Sequence, residues 1–499
     1  MGIKSFVVKP IAKRIARQIA VSAANAVEHQ DAIRHTLIQK AKHTKFGKDH
    51  QFNAIKTYAD FKNAIPIRDY EGLKPYVELI KDGGSDVLWN GKPKYFAKTS
   101  GTTSGVKFIP ITKDSIPNHI GGARSALFCN VAFTKDASLF DGKVIFLSGS
   151  PEMDEVGGIL TGRLSGIVNH LIPAWLKGNQ LPSYETNVIE DWETKLDRIV
   201  EETIDQDMRL ISGIPPWVQM YYERVIERSG KSTVAEVFPN FSTFVHGGVN
   251  FQPYENKLQA LIGKNVHTVE TYPASEGFIA FQDRPDVEGL LLNTNSGIFF
   301  EFIPANEIFN ENPPRLSLAE IEVGVNYAII LNSNAGLWGY NIGDTVEFVS
   351  KNPYRLKVSG RIKHFISAFG EHVIGKEVEE AMTATAKAFN AEVIEFTVAP
   401  QINPSKGIPF HEWFVEFGKK PADINAFIKL LDEKMQAQNI YYLDLLQGQI
   451  LKSLEIRVMQ ENAFRNYMKS QGKLGGQNKV PRLSNDRKIA DLLQNWIIS

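Results

Sequence analysis

From Tyr95 onward, short runs rich in β-branched and aromatic residues (Tyr95 to Lys98, Lys143 to Ser148, Thr243 to His246, Val266 to Thr271) alternate with longer stretches of helical character such as Asp191 to Gln206 and Pro215 to Ser229. Antiparallel neighbours can be joined by a tight turn, but parallel neighbours need a crossover of a dozen or more residues, usually a helix. The alternation therefore predicts an α/β domain built on a largely parallel sheet. Runs such as Val144 to Leu147 and Tyr327 to Leu331 have the length of buried strands, and no apolar run approaches the ~18 residues of a membrane span. With 499 residues, 43% of them hydrophobic, the chain can bury the core of more than one domain.

The first fifty residues read as helix, with Ile33, Leu37, Ile38 and Ala41 at helical spacing and Phe46-Gly47 as the stop. Between Gly297 and Ser359 the pattern changes to short alternating strands, Ile298 to Ile303, Ala319 to Val323, Tyr327 to Asn332 and Thr345 to Val349, which suggests a smaller β subdomain. After Arg361 the order becomes helix (376 to 388), strand (393 to 399), strand (412 to 417), helix (421 to 438), strand (449 to 458) and helix (461 to 469), a compact α+β module. The expected division is thus 1–360 and 361–499.

Lys plus Arg (56) equals Asp plus Glu (56), so the overall balance does not call for nucleic acid as a partner. A single cysteine, Cys129, forms no internal disulfide and no CxxC pair, and a reducing, cytoplasmic setting is the natural reading. The local exception is the N-terminus, where Lys4, Lys9, Lys13, Arg14 and Arg17 precede the first acidic residue, Glu28, and are interleaved with Ile3, Phe6, Val7, Val8, Ile11, Ile15 and Ile19. Such a segment is either a basic helix lying on an anionic membrane or a helix packed on its own domain. Pro10 interrupts the stretch and Phe6 is not the Ser or Thr of a myristoylation signal, which favours the packed helix.

Thr99-Ser100-Gly101-Thr102-Thr103-Ser104-Gly105-Val106-Lys107, directly after a predicted strand, suits a phosphate. Glycines let the backbone approach an anion, exposed N–H groups point at it, and small hydroxyls add donors without bulk. No Gly-Lys-Ser/Thr closes it, so it is not a Walker A loop; taken alone it reads equally as a surface turn. Tyr272-Pro273-Ala274-Ser275-Glu276-Gly277 follows another strand, at the carboxyl end where open α/β sheets put their ligands. There an aromatic could stack on a base, a hydroxyl bind phosphate and a carboxylate help hold Mg²⁺, whereas the structural alternative is a helix N-cap with Glu in the first turn. Gly343-Asp344 offers either a turn aspartate or an acceptor for two ribose hydroxyls.

In this order these stretches resemble the acyl-adenylate-forming superfamily of firefly luciferase and the acyl-CoA ligases, and within it the auxin-responsive acyl-acid amido synthetases. Lys45-Phe46-Gly47-Lys48-Asp49-His50 is similar to that family's N-terminal signature, Phe300 to Pro304 to its central strand, Val323-Gly324, Tyr327 and Ala335-Gly336-Leu337 to the stretch before its ribose aspartate, and Gln477 to Arg482 to its C-terminal lysine motif. The resemblance implies a large N-terminal domain that binds ATP and the acyl group, with mainly parallel sheets and a β subdomain, and a small mobile α+β lid. It implies that Ser100, Gly101, Thr102, Thr103 and Ser104 cradle ATP phosphates, that Tyr272 and Ser275 sit near adenine and the α-phosphate, and that Glu276 sits near Mg²⁺. It further implies Asp344 on the ribose, Arg361 on the nucleotide, Lys363 at the hinge between the two domains and Lys479 as the lysine of the adenylation site. The substrates it implies are ATP, a carboxylic acid and an amine, that of an amino acid; an acyl-CoA ligase or a non-catalytic nucleotide-binding or membrane-associated protein are the alternatives.

The match has departures. The family's plant members have Arg two residues before the Gly of the Gly-Asp motif, where this chain has Asn341; Gly370-Glu371 is closer to the wider superfamily, and Lys376 stands near the plant Asp-Lys-Thr pattern. His411-Glu412 lacks the second His of a zinc-protease motif, and His246 to Val249 reads as a tight turn or as part of an acyl pocket. Trp175, Trp192, Trp217 and Phe128 either line such a pocket or belong to the core.

Overall fold

The computed structural model describes all residues except 1–2, 101–105, 173, 249–250, 309, 363–364, 367–372, 403, 405–406, 448–449, 475–478 and 499. The chain divides into two units. One comprises Met1–Phe251, Glu255–Ile342 and Val346–Val358; the other comprises Gln252–Tyr254, Gly343–Thr345 and Ser359–Ser499.

The N-terminal helices of the first unit are α1 (Ile3–Ala24), α2 (Ala26–Ala41), α3 (Lys45–Asp49), α4 (Tyr58–Ala64) and α5 (Tyr70–Lys81), and α6 (Ile116–Thr134) follows the first strands. Phe46 and Gly47 lie inside α3 and do not end the preceding helix, contrary to expectation: the break falls at Lys42 to Thr44, and the Thr44 hydroxyl caps α3 by accepting from Gly47 N at 3.0 Å. Gly47 is needed for close approach, since a Cβ there would lie 2.1 Å from the Ala41 carbonyl oxygen. Helix α1 runs through Pro10 without a break. The N–H that Pro10 lacks would have met the carbonyl of Phe6, on the exposed side of the helix where water can satisfy it.

The strands run in chain order β1 (Tyr95–Ser100), β2 (Val106–Ile111), β3 (Lys143–Phe146), β4 (Asp154–Val156), β5 (Ile159–Gly162), β6 (Gln180–Leu181), β7 (Met208–Ser212), β8 (Thr243–Gly247), β9 (His267–Ala274) and β10 (Gly277–Phe281). They continue with β11 (Leu290–Leu292), β12 (Ile298–Pro304), β13 (Asn326–Ser333), β14 (Tyr340–Lys351) and β15 (Tyr354–Arg361). One sheet has the order β2-β1-β5-β4, and an 11-stranded sheet has the order β12-β13-β14-β15-β11-β10-β9-β8-β7-β3-β6. Its β6-β3-β7-β8-β9 portion is parallel throughout. Beyond β9 the pairings with β10 and β11, and of β11 with β15, are antiparallel, as is β12 with β13, so the sheet is mixed.

The predicted strands of a β subdomain fall in β12, β13 and β14, but they extend the large sheet and form no sheet of their own. Strands β12 and β13 are buried on both faces along nearly their whole length, and β12 forms the edge of the large sheet. Ala319 to Val323 is not a strand. The Glu320 carboxylate accepts from the N–H and hydroxyl of Ser317, a local turn that competes with extended pairing.

A charged cluster lies within the first unit. Glu301, on β12, is fully buried and forms a two-point ion pair with Arg315 (3.0 and 2.6 Å). Tyr58 OH (2.9 Å) and Asn332 Nδ2 (2.9 Å) also donate to the Glu301 carboxylate, and Arg315 donates to the carbonyls of Lys62 and Ile65.

The second unit contains β16 (Phe365–Ile366), β17 (Val373–Ile374), β18 (Glu392–Gln401), β19 (Phe410–Lys419) and β20 (Glu455–Val458). Strand β19 pairs antiparallel with β18 and parallel with β20, and its alternate residues face two helical layers. Trp413 and Val415 pack with the helices Gly375–Ala388 and Ile424–Gln438, and Phe414 with Ala463–Ser470 and Lys488–Leu493. The strand expected over 449 to 458 shortens to β20, and a helix, Ile440–Gln447, precedes it, tied down by Tyr442 OH to Asp432 at 2.6 Å.

Removing one partner of a buried, fully hydrogen-bonded ion pair strands the other charge. Arg315→Met is expected to cost about 3–5 kcal/mol, read as a lower urea midpoint of the first unit, and replacing both Glu301 and Arg315 with Met is expected to cost less than the single change.

Candidate active site

Tyr272 is buried near the carboxyl end of β9, and Ser275 and Glu276 form the two-residue tip joining β9 to β10, with Gly277 paired to Ala274 and Phe278 to Pro273. No helix follows, so the N-cap alternative does not hold. The hairpin is gripped from α6: Asn118 Oδ1 accepts from Phe278 N (2.6 Å), and its Nδ2 donates to the Phe278 carbonyl (3.2 Å) and to Ser296 Oγ (2.9 Å). Gly122, one helical turn on, leaves room for the Phe278 ring, which a Cβ would approach to 2.2 Å. Next to the hairpin, Thr271 Oγ1 donates to the His246 carbonyl at 3.0 Å, joining the exits of β9 and β8. The His246 ring is buried against Phe251 (centroids 4.0 Å apart), and burial pushes its pKa down to about 4.

The phosphate-loop candidate closes a β-hairpin. Ser100, the last residue of β1, pairs with Val106, the first of β2, and Gly101, Thr102, Thr103 and Ser104 lie outside the described residues. Lys363 lies outside them as well.

Asp344, Arg361 and Lys479 come together within the second unit. Arg361 Nε is 2.7 Å from Asp344 Oδ1, and Ile362 N donates to the Gly343 carbonyl at 2.7 Å, so β14 and the end of β15 hold the ion pair in register. Lys479 senses both charges. Crowding by protein around the ammonium of this otherwise exposed residue brings its pKa down to about 8; Asp344 opposes that shift and Arg361 adds to it.

The anchor for Lys479 is Arg482, whose role the sequence did not reveal. Its backbone carbonyl accepts from Val398 N (2.9 Å), and Ser484 N donates to the Val398 carbonyl (2.9 Å), so this segment runs along β18. The Arg482 guanidinium pairs with Glu379 (2.9 Å) and Glu395 and lies 4.8 Å from the centre of the Phe396 ring. Thr397 Oγ1 donates to the Pro481 carbonyl at 2.6 Å.

The N-terminal signature proves to be a clasp on the segment that enters β14. Phe46 stacks on Trp338 (5.8 Å), and the Arg68 guanidinium lies 4.8 Å from the Phe46 ring centre. Arg68 exchanges backbone hydrogen bonds with Gly339 and Asn341 (2.9 Å each) and meets His50 Nε2 at 3.3 Å. His50 Nδ1 lies 2.9 Å from the Ala64 carbonyl; burial first, and Arg68 second, hold its pKa below the usual value. Of the candidate pocket aromatics, Trp192 and Trp217 pack against each other (4.9 Å), and Phe128 belongs to the core between α1 and α6. Among the described residues no group of three or more His, Cys, Asp or Glu could enclose a metal ion.

Three family descriptions match the chain: the GH3 family N-terminal domain over residues 15–179, the central domain over 291–361 and the C-terminal domain over 376–488. The chain is 22% identical to jasmonoyl–L-amino acid synthetase JAR4 of Nicotiana attenuata, over 94% of this chain and 93% of that protein. Among solved structures, AtGH3.15 acyl acid amido synthetase in complex with 2,4-DB matches with a TM-score of 0.81 at 15% identity, over 98% of this chain and 96% of that one. A 2-hydroxyisobutyryl-CoA ligase in the postadenylation state matches with a TM-score of 0.59 at 14% identity, over 94% and 92% of the two chains. The chain belongs to the GH3 family and has the fold of the adenylate-forming amido synthetases.

Proposed function

We propose that this protein activates a carboxylic acid with ATP and transfers the acyl group to the amine of an amino acid. Oxide is a poor leaving group, so the acid must first be converted to a mixed anhydride. A carboxylate oxygen attacks the α-phosphorus of ATP, pyrophosphate leaves, and the amine nitrogen then attacks the acyl carbon, expelling AMP and losing a proton. The observation that carries this reading is the convergence of Lys479 with the Asp344–Arg361 pair in a GH3 family chain.

The residue roles follow from chemistry. Ser100 to Ser104 bind phosphates through backbone N–H and hydroxyl groups, Tyr272 flanks the adenine, and Ser275 stands by the α-phosphate. Asp344 accepts from the ribose hydroxyls, and Arg361 orients Asp344 and contacts the nucleotide. Lys479, as a cation, offsets the charge that grows on the phosphate oxygens. Mg²⁺ fits this donor set, because it is held by one or two carboxylates together with substrate phosphates, and Glu276 at the hairpin tip would supply the protein ligand. Bound there, it would neutralise phosphate charge. Residues 1–360 serve as the ATP- and acyl-binding domain and 361–499 as a lid that turns about Lys363 between the half-reactions. The buried, unpaired thiol of Cys129 suits the reducing cytoplasm.

The test is exchange of labelled pyrophosphate into ATP across aryl, indolyl and fatty acids, followed by product analysis with amino acids or with CoA. Acid-dependent exchange and an amide product are expected, whereas a CoA thioester would establish the ligase alternative. Lys479→Ala is expected to slow exchange by about two to three orders of magnitude while leaving ATP affinity nearly unchanged, and equal losses in both would remove Lys479 from the chemical step. Because Lys479 must be protonated and its pKa is about 8, exchange should fall as pH rises through about 8, and Lys479→Arg should flatten that alkaline limb. Arg482→Ala is expected to lower exchange by up to about a hundredfold through misplacement of Lys479, with ATP affinity retained.

A further inference from the structure

Helix α1 is packed on its own domain by one face only. Ser5, Val8, Ala12 and Ala23 are buried and Ile15 and Ile19 half-buried, against α6 and the Ala137–Phe140 turn. The helix is also pinned at its start, where Ser5 Oγ donates to the Ala137 carbonyl (3.0 Å) and Ser5 N to Asp141 (3.2 Å). The opposite face is therefore presented rigidly. At 100° per residue it carries Phe6, Pro10, Lys13, Arg17 and Val21 along one line, with Val7, Ile11, Arg14 and Gln18 beside it.

Every one of these residues is exposed, Phe6 at 79% and Val21 at 58%. Exposed apolar side chains are common singly, but here they share one helical face with three cations, and no acidic residue occurs before Glu28. The chain as a whole has equal numbers of acidic and basic residues, so this excess is local.

We propose that the outer face of α1 docks on an anionic lipid bilayer, with Phe6, Val7 and Ile11 entering the headgroup boundary and Lys13, Arg14 and Arg17 meeting lipid phosphates. Charge complementarity selects this occupant: a second copy of the chain would bring two equally basic faces together about a two-fold axis. The surface is also the outside of a single helix and not a groove, which suits a plane of lipid better than a peptide. The proposal is independent of the catalytic reading.

The test is co-sedimentation of the full chain with vesicles of phosphatidylcholine alone or mixed with phosphatidylserine. Partition into the mixed vesicles alone is expected, weakening as salt rises. Lys13→Gln with Arg17→Gln should weaken it about thirtyfold, and Phe6→Ser with Ile11→Ser about tenfold or more. Acid-dependent pyrophosphate exchange in the absence of vesicles should stay at the parental rate in both double variants, which reports intact folding. Absence of partition, equal partition into neutral vesicles, or partition undiminished in both double variants would overturn the proposal.

Discussion

The interaction on which most of the first unit depends is the enclosed carboxylate of Glu301. A buried charge is tolerable only when paired and fully hydrogen-bonded, and here the Arg315 fork, the Tyr58 hydroxyl and the Asn332 amide supply the partners. Those partners come from three separate stretches of chain. Asn332 passes the constraint on, because its Oδ1 accepts from Gly339 N at 2.7 Å, immediately before β14. Arg68 and Phe46 hold the same segment from the other side. The strand that carries Asp344 therefore starts from a point fixed by an ion pair, a stacked ring and backbone pairing together.

Much of this was legible in the chain, for identifiable reasons. Parallel strands with crossover helices declare themselves by period and length, so β3, β8, β9 and the helix Pro215–Ser229 were readable directly, while β7 was not read. Gly343 and Asp344, for which a turn is one reading, lie inside β14, whereas the loop at Ser275–Glu276 was readable as polar residues following an apolar strand. Sheet membership was not. Whether β12 to β14 form a subdomain or extend a larger sheet depends on what covers their two faces, and that is decided by helices hundreds of residues away. Gly47 was misread as a helix stop because glycine serves both as terminator and as a point of close contact. Glu301 did leave a signal, a carboxylate amid Phe300, Phe302 and Ile303, which announces a buried partner without naming it.

The groups expected to work on ATP are positioned by different means. Ser275 and Glu276 ride on a hairpin locked by one asparagine on α6, and Asp344 is oriented by Arg361. Lys479 is held by a segment laid along β18 and clamped through Arg482. These devices fix the backbone close to the functional side chains, so that the groups meet substrate in set positions.

The large sheet has one further property. Strand β3 lies between β6 and β7, and the chain visits β6 before crossing over β3 to begin β7, β8 and β9 in sequence. The chain thus leaves the neighbouring strands β3 and β7 toward opposite sides, β3 to β6 and β7 to β8, the arrangement that in open α/β sheets leaves room for a ligand beyond the carboxyl ends of the two strands. Of the segments bordering these strand ends, 182–207 and 213–242 take no part in the β1–β2 hairpin or the β9–β10 tip, whereas 147–179 carries β5, which pairs with β1. Sequence change in 182–207 and 213–242 can therefore reshape this end of the sheet while the β1–β2 and β9–β10 hairpins stay as they are, so the two regions are free to diverge separately.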